Sequence, residues 1–240
     1  IPNSQQAMSV FVAEELSEVL NTKVVIGRIN MGLLNRIIID DVLLDDQSGQ
    51  EMLKVTRLSA KFDIMPFFKG KISISSVQLF GFNINLRKET PDSPPNFKFV
   101  LDAFASKDTV KKENSLDLRI NSILIRRGRM SYHVLSEEET PGKFNAKHIQ
   151  LQNIIANISL KALSKDSLNL GIKRLSLDEK MSGFSLKKMS LKLVANNKQT
   201  SIDNFAIELP ETSLKMDTIH LVYDSLQAFE HFAEEVHFSF

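Results

Sequence analysis

The chain has 240 residues, 42% of them hydrophobic and 25% charged, with a formal net charge of +1. This is a foldable globular profile, and it excludes nucleic acid as the main partner, because phosphate binding demands a basic excess. Cysteine is absent, which excludes disulfides and thiolate metal sites, and Phe occurs 16 times against two Tyr and no Trp.

No run of about 18 apolar residues exists to span a bilayer, and no signal peptide is visible. The chain opens on "IPNSQQ" without Met and closes on the alternating "EEVHFSF". Both ends read as cuts, so a piece of a longer protein is expected.

The first element is an amphipathic helix. In "SQQAMSVFVAEELSEVL", Ala7, Val10, Phe11, Ala13, Leu16, Val19 and Leu20 fall at helical spacing, and "NTKVVIG" ends the helix in favour of β-branched residues. Its polar face carries Glu14, Glu15 and Glu18, which oppose anionic lipid headgroups. A helix capping the sheet's core is therefore expected, rather than one lying on a membrane.

Strand signals follow almost everywhere, and they carry an anomaly. The pattern apolar-x-x-apolar-x-apolar recurs in "IGRINM" at Ile26, "IDDVLL" at Ile39, "VTRLSA" at Val55, "ISSVQL" at Ile74 and "INSILI" at Ile120. It continues in "AKHIQL" at Ala146, "IKRLSL" at Ile172, "LKKMSL" at Leu186, "IDNFAI" at Ile202 and "MDTIHL" at Met216. Ten copies point to an internal repeat. A helix would want apolar residues at i, i+3 and i+4, and a two-residue hairpin would want Asn-Gly or Asp-Gly at the x-x pair. Neither fits. One extra residue within a strand does, because side chains alternate strictly and the insertion returns the apolar set to its original face.

Copies spaced 13 to 19 residues apart over much of the chain leave room for one strand and a short turn, with turns expected at "DDQSGQ", "FFKGK", "EEETPGK", "DEKMSG" and "ANNKQT". The expected fold is mainly β: a long, curved antiparallel meander forming a trough or half-barrel. Its first part is an N-terminal helix over 1–22, followed by a sheet domain over 23–240.

A Pro-rich, helical insertion interrupts the sheet at about 89–114. Within it Phe97, Val100, Leu101 and Phe104 recur at helical spacing and predict a short helix near 96–106. The insertion sits on the rim of the sheet or marks a domain boundary.

A search for chemistry returns little. His148 and His220 occupy x positions of the repeat, where solvated polar residues belong. His231, Glu234, Glu235 and His237 lack zinc spacing, and Asp40, Asp41, Asp45 and Asp46 lack calcium-loop spacing. Arg126–Arg127 and Lys187–Lys188 read as strand-edge protection. No nucleophile is paired with a base and no phosphate-cradling loop is present, so neither an enzyme, a cofactor nor a metal is expected. What remains is the apolar face, which two short helices cannot cover.

The order "LSEVLNTKVVIGRINMGLLNRIIIDDVLLDDQSGQEMLKVTRLSAKFD", then "GKISISSVQLFGFNINL", then "PNFKFVLDAF" resembles the N-terminal region of TamB/AsmA-like (DUF490) envelope proteins. The match covers about residues 5–105 and includes Asn96 and Phe97 at the start of the short helix. Beyond that point only the repeat rhythm matches.

The resemblance implies a Gram-negative protein on the periplasmic face of the inner membrane. Its membrane anchor would precede Ile1, and it would serve lipid transport and outer-membrane biogenesis. It implies no catalytic residues. It implies that repeat positions line a hydrophobic groove for phospholipid or another acyl-chain ligand: Ile74, Val77, Leu79, Ile120, Ile123, Ile125, Ile149, Leu151, Ile172, Leu175 and Leu177. The alternative is a β-rich scaffold that binds an outer-membrane assembly protein at an exposed strand edge.

Overall fold

The computed structural model describes residues 4–33, 35–62, 74–105, 120–163, 167–223 and 237–239. Eleven strands form one sheet in sequence order. They are β1 Val24–Gly32, β2 Arg36–Asp45, β3 Glu51–Phe62, β4 Ile74–Lys88, β5 Ile120–Val134, β6 His148–Leu163, β7 Ser167–Glu179, β8 Ser185–Asn196, β9 Gln199–Glu208, β10 Ser213–Val222 and β11 His237–Ser239. Two helices accompany them, α1 Ser4–Leu20 and α2 Lys98–Ala105. The sheet is open, since β1 pairs only with β2 and the order never closes into a ring.

The antiparallel expectation needs one correction. β4 and β5 run parallel, with Val77 beside Ile123 and Lys88 beside Val134. A parallel pair needs a long crossover, and the insertion carrying α2 supplies it. The insertion is thus a topological element of the sheet as well as a rim feature.

In β1 to β3 the extra residues sit where the repeat places them, whereas β4 and β5 carry one in the same row that the repeat did not mark. β1 to β5 share one row in which pairing is interrupted and then resumes with its offset unchanged, through Gly27, Asp41, Thr56, Gly81 and Arg127. Three of these hold a left-handed backbone, with φ of 58° at Asp41, 65° at Gly81 and 55° at Arg127. Each strand carries its own added residue, so neighbours stay in register while all of them kink together.

Further along, the offsets change where single strands are bulged: at Ser75 in β4, between Ile120 and Ile123 in β5, between Ile172 and Leu175 in β7, and between Leu175 and Leu177 where β8 carries the extra residue. Asn153 in β6 and Asn204 in β9 again take positive φ, 54° and 52°. The copy at Ala146 is the exception. Ala146 and Lys147 lie in the turn before β6, so that copy is a strand entry and no bulge.

α1 packs on the sheet through a face other than the one its apolar residues suggest. Ser9, Ala13 and Leu20 are buried, and Val12 and Leu16 pack beside them against Val24, Ile26, Ile29 and Leu44. Val10, Phe11 and Val19 point outward instead, 49%, 61% and 43% exposed. The small Ser9 lets the helix approach the kinked row, where its hydroxyl donates to the carbonyl of Gln6 at 3.0 Å and faces that of Gly27 at 3.5 Å.

α2 joins the same cluster. Phe97 and Val100 pack against it as the spacing predicts, together with Phe99 and Ala103. Of the expected turns, "FFKGK" lies outside the described residues, and the other four connect strands.

Candidate functional site: an apolar sheet face

Residues directly opposite one another on neighbouring strands point to the same face. Val77 pairs with Ile123, Ile123 with Ile158, and Ile158 with Ile172. The next row runs Leu58, Leu79, Ile125, Ala156, Leu175 and Met189. Beyond the kink, Ile84, Met130 and Leu151 form a third row, and Leu86, Tyr132 and Ile149 a fourth.

The two sides of the kink join into one surface. Val55, Phe82 and Ile154 form a buried cluster, and Leu58, Leu79 and Ile125 pack on it from one side while Leu53, Ile84, Met130 and Leu151 pack from the other. Were the extra residue of each strand held in regular alternation instead of bulged out, these two sets would lie on opposite faces.

Every lining residue read from the sequence can be placed. Val77, Leu79, Ile123, Ile125, Ile149, Leu151, Ile172, Leu175 and Leu177 are all half-buried. Ile74 and Ile120 open β4 and β5, opposite Phe62 and Leu160. Leu177 pairs with Leu186 and packs on the Phe82 cluster.

The sequence pattern missed the centre of the face, Phe82, Met130 and Ile154. Their strands carry a second bulge in "LFGFNI", "IRRGRM" and "LQNIIA", where Phe80, Gly128 and Ile155 hide the apolar-polar rhythm. Gly81 inside a strand was the available signal. Gly128 has its own role, since a Cβ there would lie 2.4 Å from the Phe82 ring and 3.0 Å from the Ile154 Cβ. The absent side chain leaves room for the Phe82 ring.

Among the described residues little covers this face beyond β3. Apart from adjacent strand pairs, the backbones that approach one another among the described elements are those of α1 with β1 and with α2. Among the described residues the apolar surface from β4 onward is an open wall.

The opposite face is polar. Arg28, Asp40, Arg57, Phe80 and Arg126 pair in one row there and line a depression of about 650 Å³. The buried Asp40 meets Arg57 at 2.6 Å and Arg28 at 3.4 Å. The Arg57 guanidinium holds the Asp40 carboxyl below its usual range against the upward push of burial, and Arg28 adds to that hold. These pairs neutralise a carboxylate placed next to the kink. Asp40 and Asp46 have structural partners, and among the described residues no calcium-type cluster forms.

One rim is laced by buried carboxylates. Asp46 in the β2–β3 turn accepts from the Ser48 amide and hydroxyl and the Gln50 amide through Oδ1. Its Oδ2 meets Arg87 at 2.7 Å and Asn96 at 3.2 Å. Asn96 also donates to the Asn85 carbonyl and accepts from the Arg87 amide, fastening the insertion to β4.

Glu179 does the same for the β7–β8 turn, accepting from the amides of Gln150, Met181 and Ser182 and from the Ser182 hydroxyl. Burial pushes its carboxyl up, but the Ser182 hydroxyl and the amides outweigh it and hold the pKa at about 2. His148 lies on this rim too, and there the expectation of a solvated residue is wrong, because it is 4% exposed. The cluster around His231 lies outside the described residues, apart from the backbone of His237 in β11.

No described helix is long and apolar enough to cross a membrane. No family model matches the chain, and no curated protein matches it. The class the geometry defines is an open, kinked β-sheet with one apolar wall that no described element covers from β4 onward.

Proposed function

We propose that the chain is a segment of a lipid-binding trough protein, the part nearest the inner membrane, contributing to phospholipid transport between membranes and outer-membrane biogenesis. One observation carries the reading. Every strand from β2 to β7 contributes to one continuous apolar face, and from β4 onward no described element covers it.

Energetics explain what such a wall does. Exposing an acyl chain to water costs about 0.8 kcal/mol per CH₂, so a whole lipid faces roughly 10 kcal/mol or more. A greasy wall removes most of that barrier with no chemistry and no cofactor. Ten strand spacings of about 4.8 Å reach roughly 50 Å, too short to cross an envelope, so the segment serves as one end of a longer conduit. The resemblance to TamB/AsmA-like proteins supports placing that end on the periplasmic face of a Gram-negative inner membrane.

The test is native mass spectrometry of gently purified protein. Wild type is expected to carry phospholipid, and Val77→Asp and Ile123→Asp are expected to lose it while keeping their circular dichroism. Bare wild-type protein, or equal loading of the variants, refutes the reading.

A scaffold role draws on a different feature, the outer edge of β1, which pairs on one side only. If that edge receives an outer-membrane assembly protein, charged substitutions there and not on the apolar wall will abolish a pull-down.

A further inference from the structure

We propose that His133, Glu139 and His148 form a binding site for a divalent transition metal, Zn²⁺ by preference, at the rim where β5 turns into β6. The proposal is independent of what the apolar wall binds.

The two histidines are directly opposed in the β5–β6 ladder, which puts their side chains side by side. Their Nδ1 atoms face each other at 2.9 Å, and the rings are tilted by 50°. The loop between the strands folds back over them. Its Glu137 carbonyl lies 2.9 Å from His148 Nε2, and its Glu139 carboxylate lies 3.9 Å from His133 Nδ1. The three ligand atoms all fall within 4.8 Å of one another.

The tautomer follows from the carbonyl. A carbonyl oxygen can only accept, so His148 Nε2 carries the proton and its Nδ1 presents a lone pair. That lone pair is aimed at His133 Nδ1 from a side chain that is 4% exposed. A backbone carbonyl gripping the far nitrogen is the outer-shell arrangement that orients metal-ligating histidine.

His133 is half-buried, with its Nδ1 turned toward the Nδ1 of His148.

Two imidazoles and one carboxylate are the three-ligand set of open zinc sites, with the fourth position left to water. Paired nitrogen donors favour zinc over magnesium or calcium. Tetrahedral Zn–N bonds of 2.0–2.1 Å set the nitrogens about 3.3 Å apart. The two Nδ1 atoms need only part by a few tenths of an ångström, and the carboxylate of Glu139, 52% exposed, has room to swing in. The bound ion would pin the 135–147 loop to both strands.

The test uses untagged protein. Zinc is titrated calorimetrically, and Co²⁺ is added as a visible probe of tetrahedral coordination. A 1:1 complex with Kd at or below about 1 μM is expected. The half-exposed residues give variants that keep the fold, so His133→Ala and Glu139→Gln are each expected to weaken binding by about tenfold or more. Absence of 1:1 binding tighter than about 100 μM overturns the site. Unchanged affinity in His133→Ala also overturns it, since the zinc would then sit on another histidine.

Discussion

Inserting one alanine between Arg127 and Gly128 tests the phase argument directly. Arg127 is already the extra residue of β5, with φ at 55°. With a second one the first half of β5 keeps its pairing, while everything after it turns over. Gly128, Met130 and Tyr132 would leave the apolar wall, and Arg129, Ser131 and His133 would take their places.

Met130 and Tyr132 are half-buried, so their loss costs about 1 kcal/mol each, half of the usual value for full burial. Forcing the Arg129 guanidinium among apolar side chains adds about 2–4 kcal/mol more. The sum of roughly 4–6 kcal/mol removes much of an ordinary domain's 5–15 kcal/mol.

Arg127→Gly is the control, because it keeps the residue count. Relief of the left-handed backbone gains about 1 kcal/mol. Loss of the guanidinium 5.2 Å over the Phe80 ring returns about 0.5–1 kcal/mol. Urea denaturation followed by circular dichroism should find the control within about 1 kcal/mol of wild type and the insertion unfolded or far weaker. An insertion variant as stable as the control refutes the phase mechanism.

Glu179 makes stability depend on acid. Its folded pKa of about 2 lies below the reference 4.5, so it stabilises the fold above pH 4.5 and loses that contribution as pH falls toward 2. The full effect is about 3 kcal/mol, and wild type and Glu179→Gln should differ most near neutral pH and converge in acid. At Gly128 a methyl group would press into the Phe82 ring, so Gly128→Ala should cost about 1–3 kcal/mol. Adding Phe82→Leu should recover part of it in a double-mutant cycle.

The kinks were legible where a polar pair interrupts clean alternation, as at Asp40–Asp41 or Asp203–Asn204. They were hidden where an apolar or small residue takes one of those places, as Phe80 and Gly128 do. The parallel β4–β5 step could not be read locally, because strand direction is decided by the crossover and leaves no mark on alternation. On α1, apolar Phe11 points outward and polar Ser9 inward, since a small side chain suits a close approach better than a large greasy one. His148 looked like a solvent residue by position, yet a loop thirteen residues long, 135–147, folds over it. Long-range closure of that kind is not encoded in spacing.

The shared kink through Gly27, Asp41, Thr56, Gly81 and Arg127 also governs growth at the sheet's margin. A regular extended peptide laid along β1 would match its hydrogen bonds on one side of Gly27 and fall out of step on the other. Only a newcomer with a matching insertion can zip along the whole length. The margin works as a keyed lock, admitting another segment of the same rhythm and turning away the flat strands that start aggregates.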